Sequence, residues 1–238
     1  MGGAVNVEGN CSPMAEFNCF ADAVAAARVY ALTSPNPKYT MPTALAAPAK
    51  PASLPAYPEK LPRRLNLTLC PLDITTPHEL PRSFFQETVK PYLEAGSPLA
   101  QWCSYFLNAT FNQVSTMVGD DSEPALSLHD PLTVWYILSR DNPKWKLTPS
   151  PEDIRIETAG QWTRGMHVID RRTRAKAGEA SAELPQDPDG TVKVVTIDEI
   201  PGDTMGWLSV QKGNRINRVI ESPGAEAFRE LLMKQVFG

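Results

Sequence analysis

The sequence lacks the features that would place this chain in a membrane or on nucleic acid. No apolar run approaches the roughly 20 residues that a helix needs to span a bilayer. Positive charge is not in excess, since 23 Lys and Arg residues stand against 27 Asp and Glu residues, for a net charge of −4. The longest basic run, Arg171-Arg172-Thr173-Arg174, is short. Because nucleic acids are bound by clustered Lys and Arg, we expect neither a nucleic-acid partner nor a membrane partner.

Cysteine pairs at metal-binding or redox spacing are also missing. Cys11, Cys19, Cys70 and Cys103 contain no C-x-x-C pair, which argues against zinc ribbons and thioredoxin-like sites. Scattered cysteines in a chain of 238 residues are typical of buried thiols in a reducing compartment. The amino-terminal residues show neither the basic nor the long apolar segment of a secretion signal. We therefore predict a cytoplasmic location.

Proline, in contrast, is abundant and concentrated. The chain has 23 prolines, about twice the usual share, and eight of them fall between residues 34 and 62. Such density forbids a regular helix or a central strand. We therefore predict an extended or disordered Pro/Ala-rich insertion over 34–62, within a single domain that covers 1–238.

The remaining sequence alternates between helix and strand patterns. An alanine-rich run predicts a helix from Ala23 to Leu32 with Asp22 as its N-cap. His129-Asp130-Pro131 predicts another helix start, with Asp130 as N-cap and Pro131 as the first helical residue. Further helices are predicted over 81–93, 98–118 and 224–237, and strands over 65–70, 153–158 and 191–195. This loose alternation favours an α/β fold.

One polar motif lies just before the first long helix. Gly9-Asn10 and Ala15-Glu16-Phe17-Asn18 place two carboxamides and a carboxylate within nine residues. Such a set suits a sugar, whose vicinal hydroxyls need both donors and acceptors. The alternative is an ordinary capping loop in which Glu16 and Asn18 bind backbone groups, and composition alone favours that alternative.

A second polar motif is His129-Asp130. A histidine can supply a proton near neutral pH, and an aspartate carboxylate can bind a hard cation. The alternative is that Asp130 only caps a helix and His129 only belongs to the preceding loop. Taken alone, this motif favours the capping interpretation.

Together the motifs resemble the inosine-uridine preferring nucleoside hydrolases. The likeness rests on Gly9-Asn10, Ala15-Glu16-Phe17-Asn18, Pro71-Leu72-Asp73-Ile74-Thr75 and His129-Asp130-Pro131-Leu132, in this order along the chain. It implies an open, mostly parallel α/β sheet flanked by helices, without the first strands of the family's sheet. It also implies that Asn10, Glu16 and Asn18 bind the ribose, that Asp130 is a Ca²⁺ ligand, and that His129 lies beside the nucleobase as the leaving-group acid.

The sequence departs from the family in one respect. The family's aspartate-rich segment, of the D-x-D-x-x-x-D-D type, carries the catalytic base and most calcium ligands, and it has no counterpart here. We therefore favour a ribonucleoside hydrolase that is incomplete in this chain, acting on a small-molecule ribonucleoside. The alternatives are a non-catalytic ribose-binding remnant and an interaction protein. An unpaired sheet edge would also favour association into homo-oligomers.

Overall fold

A computed structural model describes residues 1–42, 63–118, 122–172 and 202–238. Helices make up most of the regular structure in these residues. In chain order they are α1 (Phe17–Ala21), α2 (Ala23–Ala31), α3 (Leu72–Thr75), α4 (Arg82–Glu94), α5 (Pro98–Val118), α6 (His129–Ser139) and α7 (Ala225–Phe237), with a 3-10 turn at Pro37–Tyr39. None of these helices is long and apolar enough to cross a membrane.

The strands are short and pair in both directions. They are β1 (Leu67–Leu69), β2 (Glu79–Pro81), β3 (Ala125–Ser127), β4 (Lys146–Leu147), β5 (Ile154–Ile156), β6 (His167–Ile169) and β7 (Ile216–Glu221). One sheet has the order β1-β7-β4, and its β1 and β7 are parallel, with Leu67 opposite Ile216. The pairs β2/β3 and β5/β6 are antiparallel. The predicted α/β class is confirmed.

The chain divides into two compact units. Unit 1 comprises Met1, Asp73–Lys146 and Ile220–Gly238, and unit 2 comprises Gly2–Leu72 and Leu147–Val219. The prediction of a single domain stays a prediction. So do the limits of the insertion at 34–62, because 43–62 lies outside the described residues. At its start, Ser34 and Asn36 are buried.

The core of unit 2 forms where α2 packs against the strands. Its apolar face meets β1, β5 and β7, and the buried residues of this cluster are Val5, Ala23, Ala27, Tyr30, Leu69, Ile154, Ile156 and Ile216. Small alanines let the helix approach the strands closely, which explains why an alanine-rich helix is used here. Asp22 caps α2 as predicted, since its side chain accepts a hydrogen bond from Ala25 N.

Aromatic side chains join the helices of unit 1. Phe85 of α4 and Phe111 of α5 are fully buried, with ring centroids 5.9 Å apart. Trp135 of α6 stacks on Phe228 of α7, with centroids 4.5 Å apart and planes 3° from parallel. Such pairs add stability beyond the area that they bury.

Helix α5 carries no charged residue over its 21 positions. Its buried side includes Phe111 and Cys103, whereas Trp102 and Tyr105 are 65% and 84% exposed. The Trp102 ring lies 4.7 Å from that of Phe106. This helix therefore presents an uncharged aromatic surface.

Most predicted elements agree with the structure to within a few residues. The helices predicted over 23–32, 81–93, 98–118 and 224–237 correspond to α2, α4, α5 and α7, and the strands predicted over 65–70 and 153–158 to β1 and β5. The strand predicted over 191–195 lies outside the described residues. The prediction that all four cysteines are buried is wrong for Cys11, which is exposed. Cys19, Cys70 and Cys103 are buried as predicted.

Candidate functional site

Glu16 organises the predicted sugar-binding motif of unit 2. It is the N-cap of α1, where its Oε1 accepts a hydrogen bond from Asn18 N at 2.8 Å and its Oε2 accepts one from Cys19 N at 3.2 Å. The same Oε2 accepts a further hydrogen bond from Gly3 N at 2.9 Å. With 1% of its surface exposed, Glu16 ties the first turn of α1 to the amino-terminal segment.

The loop before Glu16 is tightly wound. Gly9 N donates to Pro13 O, and the Ser12 hydroxyl oxygen accepts from Ala15 N at 3.0 Å. A side chain at position 9 would approach the Ala15 backbone to 2.2 Å, which explains the glycine. This winding brings Asn10 to α1, where its Oδ1 accepts a hydrogen bond from Phe17 N at 2.9 Å.

Asn10 and Asn18 therefore both belong to the start of α1, and both are exposed. Asn10 contacts the first residue of the helix through its carboxamide oxygen, and Asn18 is the second residue of the helix. The structure thus brings together Asn10, Glu16 and Asn18, as the sequence motif implied. It also shows Glu16 acting as a cap, which was the alternative interpretation of this motif.

A buried pair that sequence reasoning missed supports the amino-terminal segment. Tyr30 Oη of α2 lies 2.9 Å from His167 Nε2 of β6, and both residues are buried. Gly3 has a φ of 84°, and a Cβ there would meet the His167 ring at 2.2 Å. Only glycine fits this backbone against the ring. Tyr30 and His167 stand 137 positions apart, so no local motif could have revealed the pair.

Burial controls the ionisation of the thiol and phenol near Glu16. Burial, reinforced by the neighbouring Glu16 charge, raises the pKa of Cys19 to about 12. Burial, together with Cys19 and Glu16, also raises the pKa of Tyr30 well above its ordinary value. Both groups are therefore neutral at physiological pH.

His129 and Asp130 lie at the start of α6 in unit 1. His129 Nδ1 is hydrogen-bonded to Thr75 Oγ1 at 2.8 Å, and Thr75 is fully buried. The predicted capping role of Asp130 is wrong, because α6 begins at His129 and its N-cap is Leu128. Asp130 lies in the first helical turn, where its negative charge is favourable to the helix dipole.

A turn within unit 1 carries Thr75 to this position. His78 N donates to Thr75 O, and Leu128 N donates to His78 O at 2.7 Å. His78 Nδ1 donates to Ile74 O at 2.7 Å, and its Nε2 is hydrogen-bonded to the Ser222 hydroxyl. Burial lowers the pKa of His78, against the opposing effect of the Ile74 hydrogen bond. Neutral His78 thus fixes the turn that holds Thr75.

The described residues do not fit a calcium site. Within 1–42, 63–118, 122–172 and 202–238, no group of three or more His, Cys, Asp or Glu side chains is placed to hold a metal ion. Calcium needs six to eight oxygen ligands, and Asp130 is an exposed carboxylate on a helix. A single carboxylate in this position does not amount to a calcium site.

A separate cleft of about 390 Å³ lies in unit 2. Its lining includes Asp170, Arg172, Asp203 and Trp207. None of the predicted site residues lines it. The cleft therefore adds nothing to the sugar-binding motif.

The structure thus defines an α/β protein with a polar motif at the start of α1. The sequence model of one protein family, the inosine-uridine preferring nucleoside hydrolases, matches residues 1–199 of this chain. The chain belongs to this family. No curated protein matches its sequence.

Two solved structures superpose on the whole of this chain. A purine-preferring ribonucleoside hydrolase from Gardnerella vaginalis is 15% identical and superposes with a TM-score of 0.55, covering 100% of this chain and 51% of its own. A plant nucleoside hydrolase is also 15% identical, with a TM-score of 0.49, over 100% of this chain and 52% of its own. The chain spans about half the length of these two proteins.

Proposed function

We propose that this chain supplies the ribose-binding part of a ribonucleoside hydrolase, an enzyme that cleaves the N-glycosidic bond to release ribose and free base. The observation that carries this proposal is that two exposed asparagines, Asn10 and Asn18, both lie at the start of one helix. The family membership supplies the substrate class.

Asn10 and Asn18 are the proposed contacts to the ribose hydroxyls. A carboxamide both donates and accepts hydrogen bonds, which matches a hydroxyl group that does the same. Glu16 is the proposed third ribose residue. Its hydrogen bonds to Gly3 N, Asn18 N and Cys19 N fix the backbone from which Asn18 projects, so the site is organised before a ligand arrives. Such preorganisation reduces the entropy that binding costs.

His129 is the proposed leaving-group acid, and its hydrogen bond to Thr75 orients the ring. Proton donation to a departing base typically accelerates cleavage by 10²–10⁴-fold. The sequence carries no counterpart of the aspartate-rich segment that supplies the base in the family. We therefore expect this chain to bind ribonucleosides while releasing little free base.

Titration calorimetry with uridine and inosine tests the proposal. We expect saturable binding that Asn10→Ala or Asn18→Ala weakens about tenfold or more, as the loss of well-formed hydrogen bonds predicts. Asn66→Ala, at an exposed asparagine before β1, is the matched control and should bind as the wild type does. Equal affinity in all variants, or no binding heat, would overturn the proposal. Chromatography of the same samples measures any released base.

A further inference from the structure

Three segments of unit 2 that carry positive charge meet around the end of α2. Leu65 N donates to Leu32 O, and Arg215 N donates to Thr33 Oγ1 at 2.9 Å. Asn36 Nδ2 donates to Gln211 O at 2.9 Å. These contacts bring together the stretches 28–42, 63–72 and 209–219, of which the second contains β1 and the third contains the start of β7.

These stretches differ from the rest of the chain in charge. They contain no Asp or Glu, although the chain as a whole has 27 acidic residues and a net charge of −4. We call four of their basic residues the basic cluster: Lys38, Arg64, Lys212 and Arg215. Lys38 Nζ and Lys212 Nζ lie 5.2 and 5.1 Å from the centroid of the Tyr39 ring, so both ammonium groups converge on one aromatic side chain.

Arg64 precedes β1 and Arg215 directly precedes β7, and these two strands pair in parallel with Leu67 opposite Ile216. Burial lowers the pKa of Arg64, and the positive charge of Arg215 lowers it further. An arginine nevertheless stays protonated at neutral pH. One terminal nitrogen of Arg64, Nη1, is buried without a hydrogen-bond partner within the described residues. A buried donor without an acceptor is costly, and a second positive charge nearby adds to that cost.

Two acidic residues near the start of β7, Asp153 and Glu152, each form an ion pair with an arginine outside the basic cluster. Asp153 is paired with Arg155 at 2.8 Å and accepts from Asn214 N. Glu152 is paired with Arg218 at 2.8 Å. None of the ion pairs found in the described ranges involves a member of the basic cluster.

We propose that Arg64 and Arg215 bind a phosphate-class oxyanion. The ligand is inorganic phosphate or the phosphate group of a nucleotide. A dianion placed between the two guanidinium groups would remove their repulsion and supply an acceptor for Arg64 Nη1. The planar guanidinium also matches the oxygen spacing of phosphate. This inference is independent of the proposed ribose site.

Thermal unfolding of the full chain tests the proposal with three probes at matched ionic strength: phosphate, uridine monophosphate and uridine. We expect phosphate to raise the melting temperature, because a ligand that binds only the folded state stabilises it. In the variant Asn18→Ala, which lacks a proposed ribose contact, a larger shift with uridine monophosphate than with phosphate identifies a nucleotide as the source, and equal shifts identify the free ion. The variant Asn18→Ala should keep the phosphate response, so failure of the ribose site and failure of this site are distinguishable.

The variants Arg64→Gln and Arg215→Gln should each lower phosphate affinity about tenfold or more, since hydrogen bonds between charged groups are strong. Without phosphate, the melting temperature of each variant should be no lower than that of the wild type, because the repulsion between Arg64 and Arg215 is removed. Arg63→Gln, at the exposed neighbour, makes the same charge change and should keep the response.

Two results would overturn the proposal. One is a wild type whose melting temperature does not respond to phosphate. The other is an equal loss in Arg63→Gln and Arg64→Gln, which would show only a general effect of charge.

Discussion

At the residue scale, the carboxylate of Glu16 joins two parts of the chain with its two oxygens. Oε1 caps α1 at Asn18 N, and Oε2 accepts hydrogen bonds from Cys19 N and from Gly3 N, which lies 13 positions before Glu16. The group is almost completely buried, so water does not replace these hydrogen bonds when they are lost. Hydrogen bonds to a charged partner contribute about 1.5–3 kcal/mol each. Glu16 is therefore a structural residue whatever it contributes to a ligand.

We expect Glu16→Gln to lower the free energy of unfolding by about 2–4 kcal/mol. The amide keeps one acceptor oxygen, but its NH₂ group faces backbone donors that need an acceptor. Urea denaturation measures the change. The exposed Asn18→Ala serves as a comparison and should change stability by less than about 0.5 kcal/mol. Wild-type stability in Glu16→Gln would contradict the hydrogen bonds assigned to Gly3 and α1.

At the scale of elements, His78 connects the turn before β2 to the helices of unit 1. Its ring lies 6.2 Å from that of Trp135 in α6 and 6.1 Å from that of Phe228 in α7. Both ring nitrogens are hydrogen-bonded within unit 1, to Ile74 O and the Ser222 hydroxyl. A protonated imidazole would carry a buried charge and lose its acceptor nitrogen. The packing of α6 and α7 therefore favours neutral His78.

This preference makes stability depend on pH. The pKa of His78 is lowered from its ordinary value of 6.5 in the folded state, so unfolding takes up a proton as the pH falls below that value. The stabilisation is complete above about pH 6.5 and is lost as the pH falls through the folded pKa. We expect His78→Asn to weaken this loss, measured by urea denaturation at pH 7.5 and pH 5. An identical pH dependence in the variant and the wild type would refute this role.

At the scale of the whole molecule, the chain belongs to the family, but its described residues do not form the family's calcium site. The family model covers residues 1–199, yet the chain spans about half the length of the ribonucleoside hydrolase from Gardnerella vaginalis. Its described residues contain no acidic group arranged for calcium. Ribose recognition and catalysis are thus separable questions for this chain, and they need separate assays.

We expect calcium to leave the melting temperature of this chain unchanged within error, with magnesium as the comparison ion. The physical reason is that one exposed carboxylate, Asp130, does not replace the water shell of a cation that takes six to eight oxygens. A saturable shift with calcium alone would contradict this expectation. Release of reducing sugar from inosine or uridine at enzymatic rates would contradict the expected loss of hydrolysis.

Local sequence patterns predicted much of the secondary structure, but they did not predict the contacts between segments that are distant in the sequence. The cap at Asp22 and the full extent of α5 follow from neighbouring residues, whose propensities act over one helical turn. The start of α6 was misplaced because Leu132 N donates to Leu128 O, which makes Leu128 the N-cap. Leu128 N itself donates to His78 O, a contact that no nearby residue signals. In the candidate site, the motif around Glu16 was visible in the sequence. The Tyr30–His167 and Thr75–His129 hydrogen bonds were not, because each depends on how distant segments meet.

The charge-free surface of α5 and the basic cluster should respond to salt in different ways. Ions screen attraction between charges, so added sodium chloride weakens phosphate binding at Arg64 and Arg215. Trp102, Tyr105 and Phe106 have no charge to screen, and strongly hydrated salts strengthen apolar contacts. Any association of the chain through α5 therefore persists or grows in sulfate. A salt series thus distinguishes the two surfaces without a single substitution.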